Sequence, residues 1–249
     1  MVEIRAFRPA DLEDLYRICL ATAVGGDDAT AFYRDPRLVG HVYAGPYAVL
    51  SPLTVFVAED SHGVGGYIVG APDTRDFETR LETQWWPGLR KLYRDPSDEP
   101  RAGWSADQLM SYRIHHPSST TAAITAPYPA HLHINLLPHL RGLGVGRRLM
   151  DGWLGTVRDM GACGAHLAVG AANRRAVRFY RACGFREMEQ PPRAHSAALW
   201  FVIKLAPKVC GRSTPVPNAV GENHAKRKLA ACKLVLCMGS TRCAHPTSR

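Results

Sequence analysis

A glycine-studded turn set between a strand-like and a helix-like stretch limits this chain more than any other feature. Residues 132–137 carry apolar Leu132, Ile134, Leu136 and Leu137 and read as a strand, and Arg141-Gly142-Leu143-Gly144-Val145-Gly146 follows. Residues 147–160 then carry Leu149, Met150, Trp153, Leu154 and Val157 at spacings of three and four, which predicts a helix with one buried face. A helix that starts from such a turn presents unpaired backbone N–H groups at the positive end of its dipole. That is an anion site, and phosphate is its usual occupant.

Two familiar phosphate turns each fail here at one residue. A P-loop needs Lys and then Ser or Thr after its last glycine, but Gly146 is followed by Arg147-Arg148. A dinucleotide fingerprint needs a glycine at its sixth place, where this chain has Arg147, although Gly142 and Gly144 fit the first and third. What remains is Arg-x-x-Gly-x-Gly on Arg141, Gly144 and Gly146.

The 249 residues suffice for one sizeable domain or two small ones. No apolar run is long enough to span a membrane, and Met1-Val2-Glu3-Ile4-Arg5 lacks the layout of a secretory signal. Seven irregularly spaced cysteines read as reduced thiols in a cytoplasmic protein. The net charge of +9 is uneven: from residue 207 onward eight Lys or Arg stand against Glu222, so residues 1–206 carry only +2. The body is therefore not expected to bind nucleic acid. Residues 207–249 are basic and hold Pro207, Pro215, Pro217 and Pro246, which predicts a largely disordered tail. Cys232, Cys237, Cys243 and His245 match no familiar four-ligand zinc spacing, so no metal site is expected.

Along the body, residues 2–7 alternate as a first strand, and Pro9 with Asp11, Glu13 and Asp14 opens a helix that Gly25-Gly26-Asp27-Asp28 breaks. Residues 29–50 read as helix and loop with Phe32, Tyr33, Tyr43 and Tyr47 as exposed aromatics. Residues 53–58 and 64–70 form a hairpin around Glu59-Asp60-Ser61-His62-Gly63. An insertion over about 72–130 follows, with helices near 77–93, interrupted by Pro87, and 106–114; it reads equally as a lid or as packing. A strand at 165–169 leads to a helix at 173–182 stopped by Gly184. Two strands, 185–189 and 197–205, joined through Pro191-Pro192, close the body.

The second of those helices completes a pattern. Asn173-Arg174-Arg175-Ala176-Val177-Arg178-Phe179-Tyr180-Arg181-Ala182-Cys183-Gly184-Phe185 fills every fixed place of Asn-x-x-Ala-x-x-Phe-Tyr-x-x-x-Gly-Phe. With the upstream Arg-x-x-Gly-x-Gly, residues 1–206 resemble the GNAT superfamily of acyl-CoA-dependent N-acetyltransferases. The resemblance implies an α/β (α+β) fold with a mixed, mostly antiparallel sheet flanked by helices, the insertion lying between strands 3 and 4. It implies acetyl transfer from acetyl-CoA to a primary amine, on a small molecule or a peptide, by direct attack. A homodimer is compatible with it.

The resemblance also implies roles residue by residue. The amides of Leu143, Gly144, Val145, Gly146 and Arg147 would cradle the CoA pyrophosphate, where Gly142 and its fellow glycines let the backbone approach, and Arg141 and Arg147 would add positive charge. Strands four and five splay in the family, so Ile134 and Leu136 would offer backbone groups to pantetheine, with Leu136 N–H polarising the thioester carbonyl. Asn173 is either an N-cap or a contact to the pantetheine arm or substrate side. Tyr180 would be the general acid for the leaving thiolate, as against a plain core residue. For the base, the carboxylate of histone-modifying relatives falls near Ala130, which cannot serve. His131 and His133, expected to point away from the apolar face, read as structural or surface histidines before they read as the base, and Asp73 is the other substitute on offer.

A narrower resemblance rests on Asp35-Pro36-Arg37-Leu38-Val39-Gly40-His41, Ala44-Gly45-Pro46-Tyr47, Trp85-Trp86-Pro87 and the long insertion. These look like the acetyltransferase-like domain of eukaryotic O-GlcNAc hydrolases and its free-standing bacterial relatives. That domain is suspected of being catalytically silent in animals, so a silent domain that binds a protein partner, with or without CoA, is the alternative reading.

Overall fold

The computed structural model describes residues 1–189 and 198–206. The basic tail, its cysteines and Pro191-Pro192 lie outside the described residues. Seven strands form one sheet: β1 (Glu3–Ala6), β2 (Phe56–Asp60), β3 (Gly63–Ala71), β4 (Ala130–Leu136), β5 (Gly164–Gly170), β6 (Arg186–Met188) and β7 (Ala198–Lys204), in the order β1-β2-β3-β4-β5-β7-β6. Every neighbouring pair is antiparallel except β4 with β5. The expected mixed, mostly antiparallel sheet is therefore present.

The helices are α1 (Leu12–Leu20), α2 (Leu38–Tyr43), α3 (Gly45–Leu50), α4 (Thr74–Arg80), α5 (Trp86–Leu92), α6 (Ala106–His115), α7 (Ala122–Thr125), α8 (Val145–Asp159) and α9 (Arg174–Ala182). Alternation along the strands sends side chains to two separate cores. On one face Ile68, Leu132 and Phe201 pack with Leu149, Trp153 and Val177 of α8 and α9. On the other, Val57, Tyr67 and Val69 pack with Leu15, Ile18 and Tyr47 of α1 and α3. Burial on both faces explains why β3 reads as a nearly unbroken apolar run. It also corrects the reading of Tyr47 as exposed: it is 5% exposed and stacks on Phe77, whereas Phe32 is indeed exposed.

The insertion is closed at its base, where Thr74 N–H and Thr74 Oγ1 both donate to Pro129 O, at 2.9 and 2.6 Å. Its helices α5 and α6 share a small core with Leu38 of α2, built on Trp86, Leu89, Met110 and Ile114. The helical stretch is interrupted at Pro87 as the sequence suggests: α4 ends at Arg80, a widened turn follows at Leu81–Trp85, and Pro87 lies in the first turn of α5. Asp73, a candidate base, caps α4 by accepting Asp76 N–H at 3.0 Å.

The start of the chain is tied to the sheet by a buried ion pair. Arg5 forks onto Asp11 (2.7 and 2.8 Å) and reaches Glu59 at 2.6 Å. The Arg5 guanidinium holds the Asp11 carboxyl below the usual carboxylate range, although burial works the other way. Because the folded pKa is depressed, this stability is present above the unfolded value, about 3.9, and is lost as pH falls through the folded one. In urea unfolding from pH 6 downward, the wild-type midpoint is expected to fall below about pH 4. Asp11→Asn is expected to begin lower and vary less there.

Candidate active site

The cleft begins where β4 and β5 part. Their registered pairs are Ala130↔Ala165 and His131↔His166, after which β4 stays on β3 and β5 on β7. Leu137 N–H donates to Gly65 O at 2.9 Å. In an antiparallel ladder this phase turns the main-chain groups of His133 and Asn135 toward β3, and those of Ile134 and Leu136 toward the gap. Arg141 Nε takes Leu136 O at 3.0 Å. Both groups of Ile134 and the N–H of Leu136 remain without a strand partner.

At the open end of this gap the chain makes the glycine turn. Gly142 and Gly144 have φ of +78° and +74°, backbone that a side chain other than glycine rarely adopts. Gly144 is the N-cap of α8, which therefore starts at Val145, two residues earlier than its apolar spacing suggests. Gly146 is compact for a second reason: a Cβ there would lie 3.2 Å from the Phe179 ring.

A cleft of about 370 Å³ joins these parts. Ile134, Leu136, Arg141, Gly142, Gly144, Gly146 and Arg147 line it from β4, the turn and α8. Asn173 and Tyr180 line it from α9. Leu143 and Val145, also expected at the site, are not among its lining residues: the Leu143 side chain is exposed and Val145 is in the core. Asn173 is the N-cap of α9, its side chain accepting Ala176 N–H at 3.1 Å, and it lines the cleft as well. Asn173→Ala is expected to cost about 1 kcal/mol of stability, read from urea unfolding.

Tyr180 is 8% exposed, with ring contacts to Phe179, Phe185 and Phe201. Burial pushes its phenol well above the ordinary value, so it stays protonated at neutral pH. Tyr180 thus packs as a core residue and also lines the cleft.

The histidines differ from their expected setting. His131 is locked between Tyr47 Oη (2.9 Å from Nε2) and Thr74 Oγ1 (2.8 Å from Nδ1). Thr74 gives its own proton to Pro129 O, so it accepts from Nδ1–H, and Nε2 accepts from Tyr47. Burial holds His131 far below its ordinary pKa, in the neutral form. His133, half-buried edge-on to Tyr43 and Tyr47, is pushed down to about 4 by burial. Both point away from the α8 face as expected, but the opposite face is covered too. Position 130 holds Ala130, fully buried, so no carboxylate stands there.

Several cleft residues escape sequence reasoning. Thr22 and Gly26 arrive from the turn after α1, where Val24 and Asp27 pair main chain to main chain around two left-handed glycines. Arg141 Nη2 donates to Gly26 O at 2.5 Å, a contact between residues 115 apart. Asn135 Nδ2 donates to Thr22 Oγ1. Arg175 lines the cleft from a free position of the second motif. No residue of the insertion is among the lining residues.

A splayed parallel strand pair beside a glycine turn at a helix start is the arrangement that the GNAT resemblance implies. The chain belongs to the Acetyltransferase (GNAT) family, whose pattern matches residues 56–185. It is similar to SsHAT, a solved structure with 34% identity and a TM-score of 0.74, over 82% of this chain and 98% of that one. It is 25% identical to the rat (Rattus norvegicus) Protein O-GlcNAcase over 74% of this chain but only 20% of that protein, so it spans about a fifth of that relative. The fold is shared with yncA of Salmonella typhimurium, solved with its cofactor acetyl-CoA, at a TM-score of 0.51 and 14% identity over 88% of this chain and 99% of that one. No helix among the described residues is long and apolar enough to cross a membrane.

Proposed function

We propose that this acetyltransferase moves the acetyl group of acetyl-CoA directly to a primary amine, without a covalent enzyme intermediate. The observation that carries the reading is the parting of β4 from β5, which leaves Ile134 and Leu136 N–H beside a cleft that ends at the glycine turn. The residues present fit the donor: a turn with room for backbone to meet a diphosphate, then an apolar-walled gap for the pantetheine arm. The main-chain N–H groups of Leu143 to Arg147 hold the diphosphate, with positive charge from Arg141 and Arg147. Leu136 N–H steadies the charge that builds on the thioester oxygen as the amine attacks. Tyr180 gives its proton to the departing sulfur, and the proton shed by the attacking amine passes to solvent water, from which the phenol is restored. The free thiols Cys19, Cys163 and Cys183 suit a reducing, cytoplasmic setting.

Position 130 favours the second reading, a silent domain, because it supplies no carboxylate base. One experiment separates the two. Purified protein is incubated with acetyl-CoA and a panel of primary amines, and free thiol is followed with time. Amine-dependent thiol release is expected. Tight acetyl-CoA binding with no amine able to consume it contradicts transfer and leaves the silent domain.

A further inference from the structure

Three arginines line the cleft, and the protein answers them unequally. Arg147 pairs with Asp151 at 2.8 Å and donates to Ala182 O at 3.1 Å, so its charge is met within the fold. Arg141 gives Nε and Nη2 to the carbonyls of Leu136 and Gly26, which fix its direction but carry no counter-charge. Arg175, near the start of α9, makes no hydrogen bond or ion pair among the described residues. Even so it is closely seated, because a Cβ on Gly26 would lie 2.3 Å from Arg175 Nη2. Gly26, at φ +96°, thus has one guanidinium on its carbonyl and another against its Cα.

Two like charges converging on one wall of a cavity repel unless an anion comes between them. The repulsion is felt: Arg175, after burial, pushes the Arg141 guanidinium down, and Asp27 offsets only part of that. We propose that Arg175 is the phosphate-capturing arm of the donor site, closing with Arg141 across Gly26 on the phosphorylated end of the nucleotide thioester. This rests on the donor-site reading above. It adds a directed guanidinium, able to fork onto phosphate oxygens, to the backbone amides of the turn. It also gives the second glycine of the Gly25-Gly26 turn a function: any side chain there would displace the arm.

Calorimetric titration of the full chain with acetyl-CoA, at low and high salt, tests this. Arg175→Gln is expected to weaken binding by about 10- to 100-fold, as loss of charged hydrogen bonds does. Its salt dependence should be flatter than that of the wild type. Arg175→Lys should recover part of the affinity by restoring charge without the fork, and Gly26→Ala should weaken binding in the same direction as Arg175→Gln. Wild-type binding with equal affinity in Arg175→Gln overturns the inference and leaves the donor site standing. An equal loss in Gln and Lys variants, with a lowered melting temperature and an unchanged salt slope, overturns it as a structural effect. A wild type that does not take up acetyl-CoA overturns the donor-site reading, and this inference with it.

Discussion

Tyr180→Phe is expected to lower kcat about a hundredfold, at the lower end of what a positioned acid contributes, with acetyl-CoA affinity nearly unchanged. The phenol is buried yet lies on the cleft wall, and its oxygen makes no hydrogen bond among the described residues. Removing the oxygen therefore strands no protein donor or acceptor. The ring that remains keeps its contacts with Phe179, Phe185 and Phe201, so folding should be nearly unaffected. The raised pKa keeps the proton in place at neutral pH, ready for a thiolate. Steady-state kinetics with both substrates saturating would check it. An unchanged kcat would make Tyr180 a core residue and nothing more.

Trp153→Ala is expected to cost about 3–5 kcal/mol, a large share of the stability of an ordinary domain. Trp153 is fully buried at the centre of the α8 face. Its Nε1 donates to Thr54 O at 3.1 Å, while Thr54 Oγ1 donates to Gly70 O at 2.6 Å. Alanine would leave both a large void and an unanswered carbonyl. The fit is tight on the sheet side as well, since a Cβ on Gly70 would come within 2.4 Å of the Trp153 ring and 2.2 Å of His131 O. The indole thus sits against β3, the strand that stays paired with β4 alongside the cleft. Urea unfolding by fluorescence and circular dichroism measures the loss; a change below about 1 kcal/mol would contradict the packing argument.

The parts of the site that lie close together in sequence were legible there. The glycine turn, its strand and its helix are local, and so are the Asn173 cap and the Gly184 stop, at φ +89°. Nothing local joins Gly26 to Arg141, or Thr22 to Asn135, because those contacts depend on how α1 packs over β4. The histidines fell short for a related reason. Alternation tells that His131 and His133 share a face, but not that Tyr43, Tyr47 and Phe77 cover it. Asp11 reads as an ordinary acid of a helix's first turn until Arg5 is seen across from it. Pro87 marks the break in its helical stretch from sequence alone, because a proline cannot give the N–H that an unbroken helix needs there; the widened turn ahead of it is what the sequence does not show.

The most direct check of the central claim is a titration of amide-labelled protein with acetyl-CoA, followed by NMR. Saturable one-to-one shifts concentrated at Ile134, Leu136 and residues 142–147 are expected, with the amides around His131 little moved. Shifts confined to another face of the sheet, or none at millimolar ligand, would contradict it.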